Sequence, residues 1–201
     1  GLAGRRCRRV PLAQQVTRWA IDHEALEASA SPAAKLLWLC HPHNPTGTIF
    51  RRTEWEEFMR RVPGDVLVVV DQAYCEYVDD PDYPVLLNEL ARRPGLVLLR
   101  TFSKIYGLAG LRIGYAVGDR EIIEAISRLR QPFNVNSLAQ AAALAALDDD
   151  RHVERSRRVA LEGRAELARA FARMGVAYVP SQATFVLVEV GDGAAVTDAM
   201  L

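Results

Sequence analysis

Leu96-Val97-Leu98-Leu99-Arg100-Thr101-Phe102-Ser103-Lys104, continuing as IYGLAGLRIGY to Tyr115, decides how this chain is read. Four aliphatic residues in succession match a strand buried on both faces, as in a parallel sheet. Such a strand delivers the residues after it to the carboxyl end of the sheet, where open α/β sheets build their sites. Lys104 is delivered there, flanked by the hydroxyls of Thr101 and Ser103, with Arg112 downstream. An amine can hold an aldehyde as a Schiff base, and hydroxyls with a guanidinium suit a phosphate. Taken alone, the run fits a solvated loop lysine equally well.

Two further segments change the balance. Val66-Leu67-Val68-Val69-Val70 has the same buried-strand pattern and ends in Asp71-Gln72-Ala73-Tyr74. A carboxylate at such a strand end is unfavourable unless it meets a cation or good donors, and a pyridinium nitrogen is one such partner. A helix cap or loop aspartate is the plainer alternative. Leu36-Leu37-Trp38-Leu39-Cys40 is a third strand candidate and runs into HPHNPTG, His41 to Gly47. Asn44 there offers an amide donor from a loop stiffened by Pro42 and Pro45.

Composition sets the frame. The chain has 201 residues, 50% hydrophobic and 25% charged, with 25 basic and 25 acidic side chains. Zero net charge gives no electrostatic case for nucleic acid or an anionic membrane as partner. The cluster Arg5, Arg6, Arg8, Arg9 lacks interleaved aromatics and reads as a solvated strand edge. No apolar run reaches the ~18 residues of a membrane span. Cys7, Cys40 and Cys75 are odd in number and scattered, which favours reduced thiols and a cytoplasmic protein. Cys40, His41 and His43 stand too close in sequence for a standard zinc site, so no metal is expected.

Strand and helix signals alternate, which predicts α/β with a largely parallel sheet. A short helix is expected from Asp22 to Ser29. Thr53 with Glu56 reads as a capping box before a helix carrying Trp55, Phe58 and Met59, ending near Pro63-Gly64. Ile113 to Val117 reads as a strand. Glu121 to Arg130 reads as a helix with Ile122, Ile126 and Leu129 on one face. Ser137 with Gln140 reads as a second capping box opening an alanine-rich helix broken at Asp148-Asp149-Asp150. The next helix is expected to stop at Gly175, with Leu167, Phe171 and Met174 as its core stripe. Thr184 to Val190 is a last strand. No GxGxxG or Walker-type loop is present, so a nucleotide cofactor has little support.

The order and spacing of these segments resemble the fold-type I pyridoxal-phosphate aminotransferases, in the branch that acts on histidinol phosphate. The resemblance implies a three-layer, mostly parallel α/β sheet as the large domain, followed by the start of a small α+β domain. It implies that Lys104 carries pyridoxal 5'-phosphate covalently and that Asp71 pairs with the ring nitrogen. Asn44 and Tyr74 would bond the phenolic oxygen; Thr101, Ser103 and Arg112 would hold the phosphate. The catalytic set is then Lys104, Asp71 and Tyr74, with the freed Lys104 amine acting as general base. His41 and His43 depart from the usual residues of the family and are not expected to touch the ring. The implied reaction is L-histidinol phosphate plus 2-oxoglutarate to imidazole acetol phosphate plus L-glutamate, by a homodimer in the cytoplasm. The segment Gln131 to Leu147 favours this branch over its siblings.

Family members are longer at both ends. Residues 1–129 correspond to an incomplete large domain, 130–180 to connecting helices and 181–201 to the opening of the small domain. A piece of this extent is expected to be inactive alone, since the arginines for the substrate carboxylate fall beyond it. An aromatic amino-acid aminotransferase, a threonine-phosphate decarboxylase and a non-catalytic fragment or sensor domain are the competing readings.

Overall fold

Aliphatic and β-branched runs become strands wherever the sequence is most apolar, and the carboxyl ends of three of them meet. The computed structural model describes residues 7–11, 13–15, 18–20, 25 and 34–201. Strands β1 (Ala13–Gln15) and β2 (Arg18–Ala20) form a short antiparallel ribbon. The main sheet contains β3 (Leu36–Cys40), β4 (Leu67–Asp71), β5 (Leu96–Thr101) and β6 (Gly114–Gly118), in that spatial order. The first three are parallel, as the alternation of strand and helix signals predicts, and β6 runs antiparallel to β5. Register puts Cys40 opposite Asp71, and Asp71 opposite Leu99, so the chain leaves all three parallel strands at one end of the sheet.

Val68, Val70, Leu96 and Leu98 are fully buried against helix α1 (Arg52–Arg61) through Trp55 and Phe58. Burial of such aliphatic side chains contributes about 1.5–3 kcal/mol each. In β3 the outer residues Leu36 and Trp38 are exposed while Leu39 is buried, so this strand packs on one face only. A smaller apolar cluster of Tyr74, Tyr77, Ile105 and Ala183 lies beyond the sheet end.

The remaining helices are α2 (Arg120–Ser127), α3 (Ser137–Leu147), α4 (Asp150–Met174) and α5 (Gly193–Met200). Strands β7 (Tyr178–Val179) and β8 (Leu187–Val188) pair antiparallel between α4 and α5. Helix α4 stops at Gly175, whose φ of +67° is the left-handed cap expected of glycine.

Several boundaries differ from the sequence reading. Helix α1 starts earlier, and its first turn is closed by Glu54, which accepts the Arg51 N–H at 2.7 Å, not by Thr53 and Glu56. Helix α3 is capped by Asn136, whose side chain accepts the Ala139 N–H, so Ser137 is already inside it. Helix α2 ends at Ser127, and Leu129 beyond it is exposed. Leu167 and Met174 are exposed too; of that stripe Phe171 packs, tilted on Tyr178 at 6.2 Å. The last strand is shorter than Thr184 to Val190 because only Leu187–Val188 find a partner. Arg8 and Arg9 are exposed but outside any strand. Arg5, Arg6 and the Asp22 to Ser29 helix lie outside the described residues, apart from Ala25, which is helical.

Candidate active site

Each parallel strand ends in a loop tightened by its own polar groups. After β3, His43 N–H donates to Thr48 O at 2.9 Å and Gly47 N–H to His43 O at 2.6 Å. His43 Nδ1 and Thr46 Oγ1 lie 2.9 Å apart inside this loop, which leaves Asn44 exposed at its tip. After β4, Asp71 Oδ1 accepts the Ala73 N–H at 3.1 Å, turning the chain so that Tyr74 is buried. After β5, Thr101 Oγ1 accepts the Ser103 N–H at 3.0 Å. Gly107 N–H donates to Lys104 O at 3.0 Å and Leu108 N–H to Phe102 O at 2.9 Å. Ile105 is thereby driven into the core under Tyr74, and Lys104 is held exposed.

Three of the sequence-derived residues touch. Asn44 Nδ2 donates to Tyr74 Oη at 3.4 Å, which leaves the Tyr74 proton free to donate outward. Lys104 Nζ lies 5.2 Å from the Tyr74 ring centroid, within cation–π range. Asp71 ends β4 in the same layer, two residues behind the level of Thr101 across the sheet. Arg112 adopts φ +53°, unusual for a non-glycine, and its guanidinium donates to Ala109 O at 2.7 Å. That turn feeds β6, where Gly114 pairs with Thr101, so Arg112 stands at the same sheet end. A Cβ on Gly114 would sit 2.7 Å from Arg100 O, which is why the turn closes on glycine.

Other contributors carried no local signal. The segment before β8 crosses onto the Asn44 loop: Gln182 N–H donates to Gly47 O at 2.8 Å. Its side-chain Oε1 accepts the N–H groups of Asp79 and Asp80 at 3.0 and 3.3 Å. Phe185 packs edge-on to Tyr74 with centroids 5.1 Å apart. Helix α4 supplies Arg157, which donates to Val78 O at 2.7 Å, and Arg164, which pairs with Asp79 at 2.7 Å. His41 is wholly buried, stacked on Tyr83 at 4.7 Å, and its Nε2 accepts the Phe50 N–H at 2.8 Å. Burial holds the His41 imidazole at about 4 and so neutral. Burial likewise pushes the Cys75 thiol, and less strongly Cys40, above the ordinary range, which favours the protonated thiol in both. Among the described residues no group of three or more His, Cys, Asp or Glu is arranged to hold a metal ion. None of the described helices is long and apolar enough to cross a membrane.

A family model described as aminotransferase class I and II matches residues 1–201. A histidinol-phosphate aminotransferase of Symbiobacterium thermophilum is 49% identical over 194 residues, covering 96% of this chain and 52% of that protein. One from Brevibacillus brevis is 48% identical over 168 residues, 84% of this chain and 46% of the other. Among solved structures, histidinol-phosphate aminotransferase from Sinorhizobium meliloti, in complex with pyridoxal-5'-phosphate, superposes with a TM-score of 0.84 at 33% identity. That match covers 97% of this chain and 52% of the other. The chain spans about half the length of the curated relatives it matches.

Proposed function

The chain belongs to the aminotransferase class I and II family, and from that premise we propose that the protein carrying it transfers the amino group of L-histidinol phosphate to 2-oxoglutarate, giving imidazole acetol phosphate and L-glutamate, with pyridoxal 5'-phosphate as cofactor. The observation that carries the proposal is the meeting of Asn44, Tyr74 and Lys104 beside the strand-end carboxylate of Asp71. The donor set fits that cofactor group by group. Asp71 offers a carboxylate to a ring nitrogen, and Tyr74 and Asn44 offer donors to a phenolic oxygen. Thr101, Ser103 and Arg112 offer hydroxyls and a guanidinium to a phosphate dianion. Lys104 offers the amine that an aldehyde needs.

When bound, pyridoxal phosphate supplies an aldehyde for covalent capture and a ring that draws electrons from the substrate's α-carbon. The chain supplies the rest. Asp71 keeps the ring nitrogen protonated through a charge-assisted bond. Tyr74, its oxygen already accepting from Asn44, would have its own proton to give to the phenolic oxygen. Arg112, Ser103 and Thr101 fix the phosphate end and so the distance to the lysine. Lys104 Nζ, once its amine is free, would be the general base that takes the substrate's α-proton.

On this reading residues 1–129 form the cofactor domain, 130–180 the connecting helices and 181–201 the opening of the small domain. The protein acts as a homodimer in the cytoplasm, in keeping with Cys7, Cys40 and Cys75 as free thiols. The test is a side-by-side kcat/KM for histidinol phosphate, phenylalanine and threonine phosphate with the intact protein. Preference for histidinol phosphate with glutamate formed supports the proposal. Preference for phenylalanine, or carbon dioxide released from threonine phosphate, overturns it.

A further inference from the structure

We propose that Gln72 and Arg100 are a positioning pair that sets the spacing between the loops bearing Asn44, Tyr74 and Lys104, a role that rests on the cofactor reading above. Gln72 follows Asp71 directly and is 1% exposed. Arg100 Nε faces its side chain at 3.1 Å, and because a guanidinium only donates, the atom it meets is Oε1. Gln72 Nε2 therefore faces Tyr83 Oη, at 3.3 Å, and donates to it. The Tyr83 proton goes on to the carbonyl of His41 at 3.0 Å. Burial pushes the Tyr83 phenol well above its ordinary range, so that proton stays in place. The result is a one-way chain from Arg100 through Gln72 and Tyr83 to His41.

Three of its four members, all but Tyr83, belong to different arms of the site. His41 opens the loop that carries Asn44. Gln72 sits between Asp71 and Tyr74. Arg100 belongs to β5, four residues before Lys104. Arg100 is also anchored on Glu76 at 3.3 Å, with both side chains under a fifth exposed (18% and 17%). Main-chain bonds alone link the same strands, His41 N–H to Asp71 O at 2.8 Å and Gln72 N–H to Leu99 O at 2.9 Å. They fix the strand ends but not the tilt of the loops above them. The side-chain chain spans those loops, and none of its members is among the groups that would touch the cofactor. A buried polar chain of this kind is stiff only while every link is made.

The test uses the intact holoenzyme and the variants Arg100→Met, Gln72→Met and Gln72→Glu. Methionine keeps roughly the length of glutamine and the aliphatic stem of arginine, and removes the hydrogen bonds of both. Glutamate still accepts from Arg100 but has no N–H for Tyr83; if the single Tyr83 proton turns to the new carboxylate, the bond to His41 O is lost, so only the Arg100 link survives. Arg100→Met and Gln72→Met should lower kcat about ten- to a hundredfold with little change in KM, the signature of misplaced reacting groups. Both should also displace the pH at which the bound cofactor's visible absorption band changes, a quantity that stability alone does not move. Gln72→Glu should stay impaired in both readouts, because it keeps the Arg100 link and breaks the one that reaches His41. If Arg100→Met fails to fold, Gln72→Met interrogates the same tie. An unchanged absorption midpoint and kcat in the folded methionine variants overturns the inference, as does a Gln72→Glu protein with wild-type values in both. Wild-type protein that takes up no pyridoxal phosphate instead removes the cofactor reading, and the inference with it.

Discussion

Lys104 Nζ stands 5.2 Å from the centre of the Tyr74 ring, and the hydroxyl of that ring accepts a hydrogen bond from Asn44. Three loops separated by tens of residues thus converge on one side chain. The lysine is exposed while the tyrosine beneath it is buried, so the amine rests on a buried aromatic floor.

Lys104 is the residue expected to carry the cofactor. Borohydride reduction of the intact protein with pyridoxal phosphate, then peptide mass mapping, should put the label on Lys104. The chain's other lysine, Lys35, is paired with Asp65 at 3.0 Å at the opposite end of β3 and β4. Label on Lys35 would remove Lys104 from its role.

Asp71→Asn should retain the cofactor and slow α-proton removal. A charge-assisted hydrogen bond of about 1.5–3 kcal/mol is lost, or about ten- to a hundredfold in rate. Asp71→Ala should in addition weaken cofactor retention. Stopped-flow half-reactions measure the first and dialysis the second. A wild-type rate in Asp71→Asn would exclude the ring-nitrogen role.

Gly47→Ala should destabilise the fold by about 1–3 kcal/mol. Gly47 has φ +71°, and a Cβ there would lie 1.9 Å from Ser181 Oγ and 2.9 Å from Ser181 Cα. Because the Cα also collides, Ser181→Gly should not rescue the variant. Urea unfolding monitored by tryptophan fluorescence reads both effects.

His41 should make stability fall on acidification. Its imidazole titrates near 4 in the folded chain, from burial, against an ordinary 6.5. Below pH 6.5 the unfolded chain therefore binds a proton that the folded chain refuses, and stability drops as pH falls towards 4. The full loss is about 3 kcal/mol. His41→Asn should flatten the slope of unfolding free energy between pH 6.5 and 4. An unaltered slope would show that other groups govern this window.

The candidate site was legible in the sequence because its residues sit at strand ends, where local apolarity fixes position. Val66 to Val70 and Leu96 to Leu99 could bury only as central strands, and Asp71 and Lys104 came with them. Helix starts were less legible. Arg51 has no capping side chain, yet its N–H is satisfied by Glu54, a device invisible to a search for Ser or Thr at the cap. Asn136 and Ser137 are both good caps, and only the backbone chose between them. Least legible were Gln182, Phe185 and Arg157, which reach the site across the fold and have no periodic or motif signature. The exposed Leu129, Leu167 and Met174 show that apolarity alone does not say which face finds a partner.

The bonds from Asp79 and Asp80 to Gln182 bridge sequence separations of 103 and 102 residues. Contacts of such range form late, because closing a long loop loses chain entropy before any contact rewards it. During vectorial synthesis the Asn44 loop, the Tyr74 turn and Lys104 all leave the ribosome well before Gln182 does. Until then Gly47 O has no partner from Gln182 and Tyr74 no edge contact with Phe185. A nascent chain halted before Gln182 would display its lysine on an unfinished floor.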